Sequence, residues 1–134
     1  MPGIQLHRTP TGFRFELIAA NGQPVAGSEV YSARAACIKG AESVLFIAPK
    51  ACCVDLTRQE TAANPRFEVF QDKAGCFRFR LRSRNGKIVA ASEPYLTRYA
   101  AHQGVEAVRR CAEEIRTRAS DRLCTMAQQP SEKV

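Results

Sequence analysis

The sequence predicts an α+β fold in which two tandem β-β-β-α repeats build a single antiparallel sheet with both helices packed on one face. The first observation behind this is a repeat. Phe13-Arg14-Phe15-x-Leu17 returns as Phe77-Arg78-Phe79-x-Leu81, Asn21-Gly22 as Asn85-Gly86, Ser28-Glu29-x-Tyr31 as Ser92-Glu93-x-Tyr95, and Gly40-x-Glu42-x-Val44 as Gly104-x-Glu106-x-Val108, always 64 residues later (13 and 77, 21 and 85, 40 and 104). The second is periodicity, which within each copy switches from alternation to a helix-forming run. The third is length: 134 residues bury one modest core, so the copies are half-domains of one unit rather than independent domains.

Repeat 1 spans residues 1–57. Ile4-Gln5-Leu6-His7 reads as a short alternating strand, and Pro10-Thr11-Gly12 supplies the turn. Phe13 to Ile18 forms a second strand with Phe13, Phe15 and Leu17 on one face. Asn21-Gly22 is a hairpin signal because both residues tolerate positive φ, and Val25-Ala26 continues into a third strand. Ser32 is the predicted N-cap of a helix over Ala33 to about Ile47, stopped by Pro49. In that helix Ala36, Gly40 and Val44 make a stripe matched by Ala100, Gly104 and Val108. A glycine at mid-helix costs about 1 kcal/mol relative to alanine, so its presence in both copies predicts a helix pressed closely onto its neighbours. Ala51 to Thr57 is apolar and β-branched enough for a fourth strand.

Residues 58–66 read as a linker and residues 67–127 as repeat 2. It opens with Phe67-Glu68-Val69-Phe70, turns at Asp72-Lys73-Ala74-Gly75 and repeats the three strands and the helix, with Thr97 as N-cap. Ala112, Ile115, Ala119 and Leu123 keep helical spacing, so the second helix runs on where the first stops. Residues 128–134 read as a disordered tail.

The string Phe67-Glu68-Val69-Phe70-x-Asp72-Lys73-Ala74-Gly75-x-Phe77-Arg78-Phe79-Arg80-Leu81, followed by Asn85-Gly86 and Ser92-Glu93-x-Tyr95, closely resembles the YegP-like family of small bacterial proteins. The resemblance covers Ile4 to about Ala112. It implies β-β-β-α-β units whose last strands are exchanged, so that Cys52 to Leu56 crosses into the sheet of repeat 2. Two departures stand out. His7-Arg8-Thr9-Pro10 replaces the aromatic and Asp-Lys turn, implying a shorter first hairpin. Glu113-Glu114-Ile115-Arg116 stands where repeat 2 would give a strand back, which leaves an edge open on repeat 1 and makes weak homodimerisation through it an expectation. The resemblance implies no biochemical activity.

Composition narrows the function classes. No apolar run approaches the roughly 20 residues of a membrane span, and the N-terminus has no basic-then-apolar signal pattern, so a cytoplasmic protein is expected. Cysteines at 37, 52, 53, 76, 111 and 124 lack metal or redox spacing, and free thiols acting as small apolar residues are the plainer reading. Cys52 and Cys53 would face opposite sides of a strand. No phosphate-loop, dinucleotide or zinc-protease motif is present. Neither Glu29 nor Glu93 has a paired carboxylate, and both read with Ser28 and Ser92 as helix-end residues. A Cys37–His102 pair is conceivable, yet Ile38 stands at the repeat position of His102, and a helix-surface histidine is the plainer reading. Tyr31 and Tyr95 read as buried corner rings. No enzyme, cofactor or metal is expected.

The chain carries a formal charge of +7. Arg78, Arg80, Arg82 and Arg84 alternate with Phe77, Phe79, Leu81 and Ser83, forming a ladder on the face opposite the phenylalanines. As a wet surface its removal would change stability by no more than about 0.5 kcal/mol per site. The expected function is a non-catalytic bacterial binding or interaction module. The alternative is a basic nucleic-acid or anion-binding protein working through that arginine face.

Overall fold

The computed structural model describes the backbone of residues 2–125 and the side chains of residues 2–118; the tail over 128–134 and a cap on the open edge by residues 123–126 lie outside what can be described. In chain order the elements are β1 (Gly3–Thr9), β2 (Gly12–Ile18), β3 (Pro24–Gly27), α1 (Arg34–Ile47), β4 (Cys52–Asp55), a 3-10 turn (Leu56–Arg58), β5 (Arg66–Gln71), β6 (Phe77–Arg82), β7 (Ile88–Ala91) and α2 (Arg98–Thr125). The strands form one sheet in the order β1-β2-β3-β7-β6-β5-β4. The two halves meet where β3 lies antiparallel to β7, at Gly27 and Ala91.

The fourth strand does cross. β4 leaves repeat 1 and pairs with β5, Cys52 opposite Arg66 and Asp55 opposite Val69. That pairing is parallel, so the sheet is antiparallel in all but its last pair. The reason is connectivity: tight turns join the hairpin strands of each half, whereas β4 and β5 are joined by the 3-10 turn and the segment over 56–65, which carries the chain back to the end where β4 began so that β5 runs alongside it in the same direction. Among the described residues α2 continues instead of returning a strand, and no strand pairs with β1 on its outer side. Among the described residues no helix is long and apolar enough to cross a membrane.

The hairpin turns refine the expected chemistry. Gly22, Gly75 and Gly86 have φ of +86°, +87° and +87°, while Asn21 and Asn85 keep negative φ. In each turn the glycine N–H donates to a carbonyl three residues back (Ala19, Asp72 and Ser83). Each is thus a type I turn closed by a glycine bulge rather than a turn with two positive-φ residues. The Asx side chains fit this geometry, Asn21 Oδ1 accepting from Gln23 N at 3.0 Å and Asn85 Oδ1 from Lys87 N at 3.1 Å. The first hairpin has the shorter connection, with Thr9 already opposite Gly12.

Both helices cover one face. Phe15, Leu17, Phe67, Val69, Phe79 and Leu81 point into a single cluster with Cys37, Ala41, Val44, Ala101, Val105, Val108 and Ala112. The buried face of α1 is therefore displaced by one residue from the predicted stripe, since Ala36 is exposed while Cys37, Ala41 and Val44 are buried. Thr97 caps α2, its Oγ1 accepting from Ala100 N at 3.0 Å. Ser32 does not cap α1. The N-cap is Ala33, which makes no side-chain hydrogen bond and stands at the repeat position of Thr97.

The repeated Ser-Glu-x-Tyr segments serve the strands instead of the helix ends. Ser28 Oγ accepts from Phe15 N and donates to Glu29 O, at 2.9 and 2.8 Å; Ser92 does the same with Phe79 N and Glu93 O. Each serine holds the point where a short strand leaves its neighbour. Tyr31 and Tyr95 then bridge back to Phe13 and Phe77, and their rings stack on Phe15 and Phe79 at 6.5 and 6.2 Å.

The mid-helix glycines make room for these tyrosines. A Cβ on Gly40 would lie 2.3 Å from Tyr31 Oη, and one on Gly104 would lie 2.5 Å from Tyr95 Oη and 2.7 Å from the Phe79 ring. Alanine would gain about 1 kcal/mol of helix propensity, against an overpacking penalty of about 1–3 kcal/mol. Tyr31 is half-buried and can yield; the Phe79 ring is fully enclosed and cannot. Gly104→Ala is therefore expected to destabilise by about 1–2 kcal/mol and to do so more than Gly40→Ala, as read by urea denaturation. Equal or stabilising effects would mean that the tyrosines swing aside freely.

Candidate functional site

The arginine face is a closed ion cluster. Alternation along β5 sets Arg66, Glu68 and Phe70 on the side away from the helices, and the register places Glu68 opposite Arg80 and Arg66 opposite Arg82. Glu68, only 1% exposed, accepts from Arg80 Nε at 2.6 Å and Arg82 Nε at 2.9 Å on Oε1, and from Arg66 Nε at 2.8 Å on Oε2. Burial pushes its carboxyl up, but the bonds from Arg80, Arg82 and Arg66 outweigh this and bring it down to about 2. Arg80 also lies over the Phe70 ring at 4.3 Å, so the face does carry an aromatic beneath its cations.

The reading of the ladder as a wet surface is thereby corrected for Arg80 and Arg82, whereas Arg78, which the two repeats share with Arg14, makes the ion pair that a shared arginine suggests. Arg80 and Arg82 neutralise Glu68, and Arg78 pairs with Asp72 at 2.8 Å, holding that carboxyl below the usual range through its hydrogen bond. β6 ends at Arg82, so Arg84 sits in the turn and leaves the ladder. Repeat 1 inverts the charge pattern: Glu16 on β2 is the central acid, 2.9 Å from His7 Nε2 and 3.5 Å from Arg14.

Arg84 instead joins a groove on the helix side. There α1 and the β6–β7 hairpin leave an open channel of about 830 Å³, lined by Tyr31, Ile47, Val89 and Phe46 with Lys39, Arg84 and Lys87 among its other walls. Phe46 is 54% exposed on a core-packed helix, with Lys50 Nζ 4.0 Å and the Arg116 guanidinium 5.7 Å from its ring. Among the described residues no carboxylate lines this groove. The pseudo-equivalent channel, between α2 and the β2–β3 hairpin, is about 370 Å³ and presents Ala20, Gln23, Arg110 and Cys111 where the first has Arg84, Lys87, Phe46 and Ile47. The two channels share a backbone frame and differ in chemistry. Position-by-position comparison of the repeats carries this signal, because residues that diverge between copies are released from the packing that fixes the shared ones.

A second assembly joins the exchanged strand to α2. Asp55, 2% exposed, accepts from Thr57 N at 2.9 Å and His102 Nε2 at 3.0 Å and is ion-paired with Arg98, whose Nε lies 3.2 Å from Oδ2 and donates to Thr57 Oγ1 at 3.1 Å. Burial raises its carboxyl, but the bonds from His102 and Thr57 prevail and hold it below the usual range. The histidine partner is Cys53, whose Sγ lies 3.9 Å from His102 Nδ1, and not Cys37, which is buried under α1. Cys52 is exposed on the other side of β4, as alternation requires. Glu29 and Glu93 are exposed. Among the described residues no group of three His, Cys, Asp or Glu side chains is placed to hold a metal ion.

The profile of a family described as a domain of unknown function (DUF1508) matches the chain twice, at residues 11–55 and 72–117. A UPF0339 protein of Pseudomonas aeruginosa is 33% identical over 102 residues, covering 76% of this chain and 81% of its own. The UPF0339 protein YegP of Escherichia coli is 31% identical over 97 residues, or 72% of this chain and 76% of that protein. The solution NMR structure of yegP from E. coli, described as a protein of unknown function, is similar with a TM-score of 0.69 at 26% identity, over 84% of this chain and 86% of the other. The tandem match falls on the two halves that share the sheet, and by it the chain belongs to the DUF1508 family of uncharacterised UPF0339 proteins that includes YegP.

Proposed function

We propose that the protein is a non-catalytic interaction module that holds an acidic, partly apolar peptide segment in the groove between α1 and the β6–β7 hairpin. The observation that carries this is the half-exposed Phe46 set among cations, with an aliphatic floor of Ile47 and Val89 beside it. Such a channel gives an aliphatic side chain a surface to bury, on the order of 25 cal/mol per Å². Lys39, Arg84 and Lys87 supply a field that selects carboxylates and speeds encounter. A cytoplasmic setting suits the free thiols of Cys37, Cys52, Cys53, Cys76 and Cys111.

The nucleic-acid reading is less well supported. Arg78 is paired with Asp72, and Arg66, Arg80 and Arg82 all direct their Nε groups at the one carboxylate of Glu68, so a phosphate would meet guanidinium groups already oriented toward another acceptor, although the cluster keeps an excess of positive charge. The groove offers a single exposed ring, where a track along single-stranded bases uses several.

An NMR titration with a short peptide of alternating Glu and Leu tests the proposal, with a single-stranded oligonucleotide as the competing probe. Shifts are expected at α1 and the β6–β7 turn with the peptide. Lys39→Glu combined with Lys87→Glu should weaken binding at least tenfold while leaving the fold intact. Shifts centred on Arg66, Arg80 and Arg82, or tighter binding of the oligonucleotide, would overturn it.

A further inference from the structure

The cluster on β4 and α2 lies apart from the groove and has a chemistry of its own. Asp55 is ionised and can only accept, so the hydrogen between it and His102 resides on Nε2. With Nε2 carrying that hydrogen, the other ring nitrogen, Nδ1, is the one turned toward the Cys53 thiol, 3.9 Å away, and in the neutral ring it carries the lone pair. A thiol, a base and a carboxylate that orients the base are the elements of an activated nucleophile. Arg98 and Thr57 anchor the carboxylate from the far side.

The charges around Cys53 make the base necessary. From α2 it faces His102, Arg109 and Glu106, and from its own segment Asp55 and Glu60; burial pushes the thiol up and Arg109 only partly opposes this. Arg109 is itself held by Ala51 O at 2.6 Å and by Glu106. Left alone, such a thiol stays protonated, and it becomes nucleophilic only as His102 removes the proton. Arg58, Arg98, Tyr99 and His102 enclose a hollow open to solvent, and the His102 ring that lines it is the one that meets Cys53. Two guanidinium groups there favour an anionic reactant.

We propose that Cys53 is a modification site that forms a mixed disulfide with a small anionic disulfide. His102 Nδ1 takes the thiol proton as Cys53 Sγ attacks one sulfur of the reactant. The reactant's S–S bond breaks, the protein–S–S bond forms, and the departing thiolate takes the proton from the imidazolium and leaves as a thiol. The disulfide reactant is the oxidant, and the reaction consumes one per protein.

The test is reaction of the intact protein with oxidised glutathione at pH 7, with the adducts located by peptide mass spectrometry. Cys53 is expected to be modified before the exposed Cys52, although Cys52 is the more accessible. His102→Gln should slow the Cys53 reaction at least tenfold and leave Cys52 unchanged. The cationic disulfide cystamine should react more slowly than glutathione disulfide, and Arg58→Ala should narrow that difference. Modification of Cys52 or Cys76 first in the unaltered protein, which needs no variant, would overturn the proposal. So would an unchanged Cys53 rate in a folded His102→Gln protein.

Discussion

Glu68→Ala is expected to lower the stability of the folded chain by about 3–5 kcal/mol, the range for removing one partner from a buried ionic cluster. The loss arises from what is left behind. Arg66, Arg80 and Arg82 would remain side by side on two neighbouring strands with like charges and without the carboxylate that now receives hydrogen bonds from all three, although Arg66 and Arg82 would keep the carbonyls of Ala62 and Gly86. Glu68→Gln, which keeps the shape and removes the charge, should lose somewhat less. Urea denaturation measures both.

The pH dependence follows from the same cluster. The folded-state carboxyl lies at about 2 against an ordinary 4.5, so its contribution, on the order of 3 kcal/mol, is complete above about 4.5 and lost as pH falls toward 2. Acid unfolding of the unaltered protein should steepen in that window, and Glu68→Gln should remove that part of the slope. A Glu68→Ala variant within 0.5 kcal/mol of the parent would show that the arginines find water as readily as they find the carboxylate. The triple replacement of Arg80, Arg82 and Arg84 follows the same logic. Treated as a wet surface it would be mild, but with Glu68 stripped of two of its partners the loss should fall on Arg80 and Arg82, with Arg84 near neutral.

Local chemistry made the hairpins legible: Asn21-Gly22 and Asn85-Gly86 announce turns whose neighbours must then pair, and the identity of the two copies doubles each signal. The exchange of β4 was legible only through resemblance, because nothing in Cys52 to Asp55 says which strand it will meet. Glu68 shows a subtler limit. Alternation along Phe67-Glu68-Val69-Phe70 sets it opposite Phe67 and Val69, on a face where a charged residue reads as solvated. Its burial comes from arginines on the next strand, and only the register of the β5–β6 hairpin reveals that Arg66, Glu68, Arg80 and Arg82 share one spot. Ser32 was misassigned as a cap because its own side chain suits the role; the repeat position of Thr97 points to Ala33. His102 was unreadable for a third reason. Its partners Cys53 and Asp55 lie some fifty positions earlier on a strand that has changed halves, so no spacing rule connects them.

That last contact yields the second large effect. Asp55 belongs to repeat 1, yet its hydrogen bond from His102 and its ion pair with Arg98 come from the helix of repeat 2, and among the described residues β4 meets the sheet through β5 alone. Asp55→Ala is expected to destabilise by about 3 kcal/mol, since it removes a buried carboxylate and leaves the Thr57 N–H without its acceptor. Asp55→Asn can still accept from Thr57 and should lose about half as much, because hydrogen bonds to a charged acceptor are roughly twice as strong as neutral ones. The location of the loss is the sharper measurement. Amide hydrogen exchange should accelerate first at Val54 and Phe67 to Val69, while the β1–β2 hairpin of the repeat that carries the mutation keeps its protection. Exchange that instead accelerates evenly over both halves, or first in β1 and β2, would mean that Asp55 supports its own repeat and that the crossing strand depends on backbone pairing alone.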